Sequence, residues 1–102
     1  MNRGEIWWVE TPTAPRPYLI LTRAAAVPVL NRVLAVPATT RIRGIRTEVP
    51  LGRRDGMPRK CVLSLDNLES VRKTRFIEPV CTLAPAKLRE VCAALGITVD
   101  CL

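Results

Sequence analysis

The chain has no histidine, four aromatic side chains and five glycines among 102 residues, and its apolar runs are short. Without imidazole, the usual acid/base pair of many ribonucleases and every mixed Cys/His zinc site are excluded. No run approaches the roughly 20 apolar residues that span a bilayer, which excludes a transmembrane segment. Cys61, Cys81, Cys92 and Cys101 lie too far apart for a Cys-x-x-Cys knuckle. No metal and no cofactor is therefore expected. The start, Met1-Asn-Arg-Gly-Glu5, lacks the apolar segment of a secretory signal, so reduced and mostly buried thiols in a cytoplasmic protein are expected. Internal repeats and low-complexity linkers are absent as well.

What is present is positive charge. Sixteen Lys and Arg against nine Asp and Glu leave a net charge of +7, which favours a polyanionic partner such as nucleic acid. Most of the excess lies between residues 41 and 60, where Arg41, Arg43, Arg46, Arg53, Arg54, Arg59 and Lys60 face only Glu48 and Asp55. A hydrophobic content of 48% in 102 residues suits one small domain spanning 1–102. A chain this short buries only about 60 to 65% of its unfolded surface, so pairing with a second copy would stabilise it.

Short, turn-bounded segments rich in β-branched and aromatic residues predict strands at Ile6–Glu10, Tyr18–Thr22, Val33–Ala38, Thr47–Val49, Cys61–Ser64 and Arg75–Glu78. Five or six such strands suggest a small β-barrel. Trp7 and Trp8 must point to opposite faces of the first strand, so at most one belongs to the core. Leu88, Val91, Cys92 and Leu95 recur at helical spacing, with Pro85 in the first turn and Gly96 as the C-terminal cap, which predicts one amphipathic helix.

RNA can be cut with neither imidazole nor metal, because its own 2′-hydroxyl is the nucleophile. A protein then has to align that oxygen, withdraw its proton and stabilise the phosphorane oxygens, a task suited to the planar, permanently charged guanidinium. The stretch Ala35-Val-Pro-Ala-Thr-Thr-Arg-Ile-Arg-Gly-Ile-Arg46 joins an apolar run to two hydroxyls and a series of guanidiniums.

Three blocks in order complete a pattern: Arg3-Gly-Glu-Ile-Trp-Trp-Val-Glu10 leading to Arg16-Pro-Tyr-Leu-Ile-Leu-Thr22, then Val36-Pro-Ala-Thr-Thr40 with Gly44 and Glu48-Val49, then Leu65-Asp-Asn67. The sequence resembles the MazF/PemK toxins of type II toxin–antitoxin systems, which are ribosome-independent endoribonucleases. The resemblance runs from Arg3 to Gly96. It implies a mainly β fold of the CcdB/Kid/MazF type, an SH3-like barrel with a C-terminal amphipathic helix, assembled as a homodimer.

By that resemblance the catalytic arginine falls at Arg16, the catalytic hydroxyl at Thr39, and an acid of the site or of its supporting loop at Asp66. Thr40, Arg41, Arg43, Arg46, Arg53 and Arg54 would bind RNA. The implied partners are RNA and a cognate acidic antitoxin, with no membrane. Taken singly, each residue has an ordinary reading: Arg16 as a surface arginine before a strand, Thr39 as a β-former, Asp66 as a turn or cap residue.

The family's longer loop before the Arg-Pro pair is replaced here by Thr11-Pro-Thr-Ala-Pro15, which has no carboxylate and leaves Glu10 as the nearest one. Two alternatives belong to other functional classes. A CcdB-like gyrase poison of the same fold acts through a Trp-Gly-Ile ending, whereas this chain ends Val99-Asp-Cys-Leu102. A non-catalytic nucleic-acid-binding module would rely on aromatic stacking platforms, which this chain has few of.

Overall fold

In the computed structural model, which describes residues 1–101, seven antiparallel strands form one sheet and a helix ends the chain. The strands are β1 (Glu5–Val9), β2 (Arg16–Ile20), β3 (Arg32–Thr39), β4 (Glu48–Leu51), β5 (Cys61–Ser64), β6 (Glu69–Arg72) and β7 (Phe76–Thr82); the helix α1 is Pro85–Thr98. Single 3-10 turns occupy 53–55, 65–67 and 73–75. The expected strands are all present. The additional one, β6, escapes a hydrophobicity reading because Glu69-Ser-Val-Arg72 buries Val71 alone.

The sheet runs β4-β5-β3-β2-β1-β7, with β6 also on β3. No pairing joins β4 to β7 among the described residues, so the sheet of the expected barrel, with β6 a short free edge beside β3, also stays open at its two end edges. Both edges carry an exposed proline, Pro50 in β4 and Pro79 in β7. The spine is β3. Its first half pairs with β6, from Arg32↔Arg72 to Ala35↔Glu69, and its end pairs with β5 at Ala38↔Leu63 and Thr39↔Val62. The exchange of partners falls at Val36–Pro37, where proline has no N–H to contribute to a ladder.

Directly opposed residues of an antiparallel pair share a face. One face collects Ile6, Leu19, Val36, Val49 and Leu63 beneath Val91 and Ala94 of α1, the main core. The other holds a smaller cluster of Val9, Tyr18, Ala35 and Val71, continued by Ile20, Val27 and Val33 with Trp7 and Phe76 against them. Burying each such side chain is worth about 1.5–3 kcal/mol, and the two clusters fix the curl of the sheet from both sides.

Helix α1 starts with Pro85 at its first position, as its fixed φ and missing N–H favour. It continues past Gly96 to Thr98, and the residue with positive φ that follows is Asp100, at 55°. The helix is therefore longer than its glycine suggests. Its inner face is Leu88, Val91, Ala94 and Leu95, while Cys92 is exposed. The expectation of mostly buried thiols fails likewise: Cys61 is buried and Cys81 half-buried, but Cys92 and Cys101 are exposed. No helix among the described residues is long and apolar enough to cross a membrane.

Candidate active site and nucleic-acid interface

The β2–β3 pairing runs from Ile20↔Ala35 to Tyr18↔Pro37, and just beyond it Arg16 at the start of β2 and Thr39 at the end of β3 line the same clefts. Two apolar strands thus bring a guanidinium and a hydroxyl together at the rim of the sheet. Arg16 is exposed and Thr39 half-buried. Together with Arg41, they line two adjoining clefts, one of about 440 Å³ and one of about 640 Å³.

The smaller cleft lies on the Tyr18 face and adds Arg43, Glu48, Ser64, Asn67 and Glu69, with Thr11-Pro-Thr13 of the β1–β2 loop as one wall. The larger opens towards the helix-covered face and adds Trp8, Pro17, Thr40, Met57, Arg59 and Cys61. Thr40 therefore joins the site from the second side.

The arginine-bearing loop between β3 and β4 is pinned at several points. Thr39 Oγ1 accepts the Arg41 N–H at 3.1 Å, and the Glu48 carboxylate accepts the N–H groups of Arg43 at 3.0 Å and Gly44 at 2.9 Å. Gly44 has φ +71°, a turn that glycine adopts without Cβ strain. At the far end Thr47 donates its hydroxyl to Asp66 at 2.6 Å, and the Leu65 N–H reaches the Thr47 carbonyl at 3.0 Å. The backbone is held, while Arg41, Arg43 and Arg46 are exposed and make no ion pair among the described residues. Their charges are available to an anion.

Tyr18 lines the smaller cleft, its hydroxyl pKa pushed up first by burial and then by the Glu69 carboxylate, so it stays a neutral hydrogen-bonding group. Burial, followed by the charge of Asp55, pushes the Cys61 thiol up as well. Glu69 lies 3.9 Å from Arg75.

Not every expected residue converges here. Asp66 is exposed and lies outside both clefts, turned to Thr47. Arg46 is on the pinned loop but lines neither cleft, and Arg53 and Arg54 are exposed on the 53–55 turn, also outside them. Glu10 lies outside as well, and the carboxylates that line the site are Glu48 and Glu69. Glu48 was legible, since Val49 points into the core and the strand period turns its neighbour to the Thr39 face. Glu69 sits on the one strand that the sequence hides. No trio of His, Cys, Asp or Glu side chains among the described residues is placed to hold a metal ion.

Residues 2–99 match the family described as PemK-like, MazF-like toxin of type II toxin–antitoxin system. A curated relative, the probable endoribonuclease MazF5 of Mycobacterium tuberculosis, is 42% identical over 101 residues, covering 97% of this chain and 93% of its own length. Among solved structures, Mycobacterium tuberculosis toxin MazF-mt6 superposes with a TM-score of 0.88 at 30% identity, covering 94% of this chain and 96% of that one. The MazE-MazF crystal structure from Deinococcus radiodurans gives 0.83 at 28% identity, covering 97% and 94%. With nearly its whole length matched and its hydroxyl–guanidinium pair set at the rim of this fold, the chain belongs to the family of PemK-like, MazF-like toxins of type II toxin–antitoxin systems.

Proposed function

We propose that the chain is a metal-independent, sequence-specific endoribonuclease that cleaves by attack of the RNA 2′-hydroxyl, leaving 2′,3′-cyclic phosphate and 5′-hydroxyl ends and so arresting translation and growth. The observation that carries it is that Arg16, Thr39 and Arg41 together line both of two adjoining clefts. Arg16 stabilises the phosphorane oxygens and hydrogen-bonds the leaving 5′-oxygen while staying charged; the 2′-hydroxyl gives its proton to solvent as the 5′-oxygen takes one from solvent, so the transfer balances. Thr39 already accepts the Arg41 N–H, so its own O–H is free to donate to a phosphate oxygen. Arg41 and Arg43 hold the flanking phosphates, with Thr40 on the second side; Arg46, Arg53 and Arg54 engage RNA beyond the clefts. Asp66 acts through Thr47, as the anchor of the loop.

Named endoribonucleases among the relatives put this reading ahead of the gyrase poison and the non-catalytic module. In this reading residues 1–102 form one toxin domain, working in the cytoplasm as a homodimer whose paired basic segments share a groove. A cognate antitoxin with an acidic, disordered segment covers that groove and excludes RNA. Incubating the pure protein with total RNA in excess EDTA and sequencing new 5′-hydroxyl ends tests the proposal. Cuts at one recurring short motif are expected; intact RNA, or cutting only after a divalent ion is restored, overturns it.

A further inference from the structure

Two neighbouring tryptophans occupy opposite faces of β1, and only one of them has a structural task. Trp7 packs edge-to-face on Phe76 with ring centroids 6.3 Å apart and donates its Nε1–H to Glu5 at 2.9 Å. Trp8 has no aromatic partner and no side-chain hydrogen bond among the described residues. It pairs with Pro17 in register, on the face that carries Ile6 and Leu19. Yet α1 packs on β4 and the 65–67 turn, so Trp8 stays half-buried and lines the larger cleft. Around it are the apolar surfaces of Pro17 and Met57 and the guanidiniums of Arg16, Arg41 and Arg59.

An indole with an open side, framed by cations, in a cleft of about 640 Å³ is suited to a flat aromatic ring carrying phosphate on either side. We infer that Trp8 is the stacking platform for the base of one nucleotide flanking the scissile phosphate, with Arg59 holding the next phosphate outward. This rests on the ribonuclease reading and adds a division of labour to it. With the scissile phosphate at Arg16, Thr39 and Arg41, which both clefts share, one neighbouring base stacks on Trp8. The other enters the smaller cleft, where Glu48, Asn67 and Glu69 present hydrogen-bonding groups to its edge.

The test uses a short RNA carrying the motif found by end sequencing, its variants abasic at either nucleotide next to the cut, and an uncleavable 2′-deoxy version. In Trp7→Phe protein, which keeps Trp8 as the sole indole, binding of the uncleavable RNA should quench the fluorescence. Trp8→Ala should lower kcat/KM about five- to a hundredfold while Trp8→Phe retains most of it. One of the abasic substrates should cost wild type as much and cost Trp8→Ala nothing further. Wild-type rates in Trp8→Ala, or losses that simply add for both abasic sites, overturn the stacking role. A change in sedimentation with unchanged cleavage makes Trp8 an interface residue instead and also overturns it. A wild-type protein that leaves RNA intact overturns the ribonuclease reading itself. Folding is controlled by the circular dichroism of all three variants.

Discussion

Arg16→Ala removes the guanidinium that both clefts share, and Thr39→Ala removes the hydroxyl that lines them with it, while neither side chain is part of a buried cluster. Each variant should fold and lose about 10²- to 10³-fold in cleavage rate, the usual loss for one donor to a developing oxyanion. Single-turnover cleavage of labelled RNA, with circular dichroism as the fold control, measures this. Asp66 should behave differently, because it reaches the site only through Thr47. Asp66→Ala and Thr47→Ala should each cost about 1 kcal/mol of stability and less than tenfold in rate, and the double variant should be no worse than either, as a shared hydrogen bond requires. Titration adds a check at high pH. Burial raises the Cys61 and Cys81 thiols above their ordinary 9.0 and Tyr18 above 10.0, so each is held neutral in the folded state. Their contribution is complete below those ordinary values and declines as pH climbs towards the raised ones, since the unfolded chain ionises first. The thermal midpoint should fall above about pH 9, and fall less in a Cys61→Ala, Cys81→Ala double variant, by scanning calorimetry.

The core strands were readable as elements because Tyr18-Leu-Ile20 and Val33-Leu-Ala-Val36 are continuous apolar runs, and these two carry Arg16 and Thr39 at their ends. Their mutual register was not readable, since the segment from 21 to 31 makes irregular turns that no short-turn rule fixes. The same limit hid β6, and with it Glu69. Cys92 misled because its i+4 relation to Leu88 suits an inward face, whereas the helix rotates to bury Ala94. Among the connecting elements the 53–55 turn makes the sharpest prediction. Gly56 closes it at φ +98°, and a Cβ there would come within 2.6 Å of Cys81 Cβ. Gly56→Ala should therefore destabilise by about 2–5 kcal/mol, combining left-handed strain with overpacking. Gly52, at the start of the same turn, is extended with nothing within 4 Å of its Cβ position. Its alanine variant should stay within about 0.5 kcal/mol of wild type in urea unfolding.

Over the whole molecule a net charge of +7 makes RNA affinity depend on salt. Each arginine that holds a phosphate should contribute about 0.7 to the slope of log affinity against log salt, so Arg41→Ala and Arg43→Ala should each flatten it by that amount. Arg53→Ala and Arg54→Ala, outside the clefts, should flatten it as well, since RNA extends onto their turn; filter binding over a salt series measures this, and unchanged slopes would remove them from the interface. The prolines at the two ends of the sheet have a different consequence. A curled sheet that does not close leaves rows of backbone groups, among them those of its end strands, able to template a further strand, the usual start of fibrous aggregation. Pro50 in β4 and Pro79 in β7 have no N–H to donate, and proline is found in sheets mainly on such edge strands. Continuation of one copy's sheet by another is thereby opposed at these two strands, while β6, paired only with β3, keeps a short free edge. Resistance to fibril growth is then written into the same two residues that punctuate the edge strands, and Pro50→Val with Pro79→Val should make the protein thioflavin-positive on prolonged agitation while wild type stays clear.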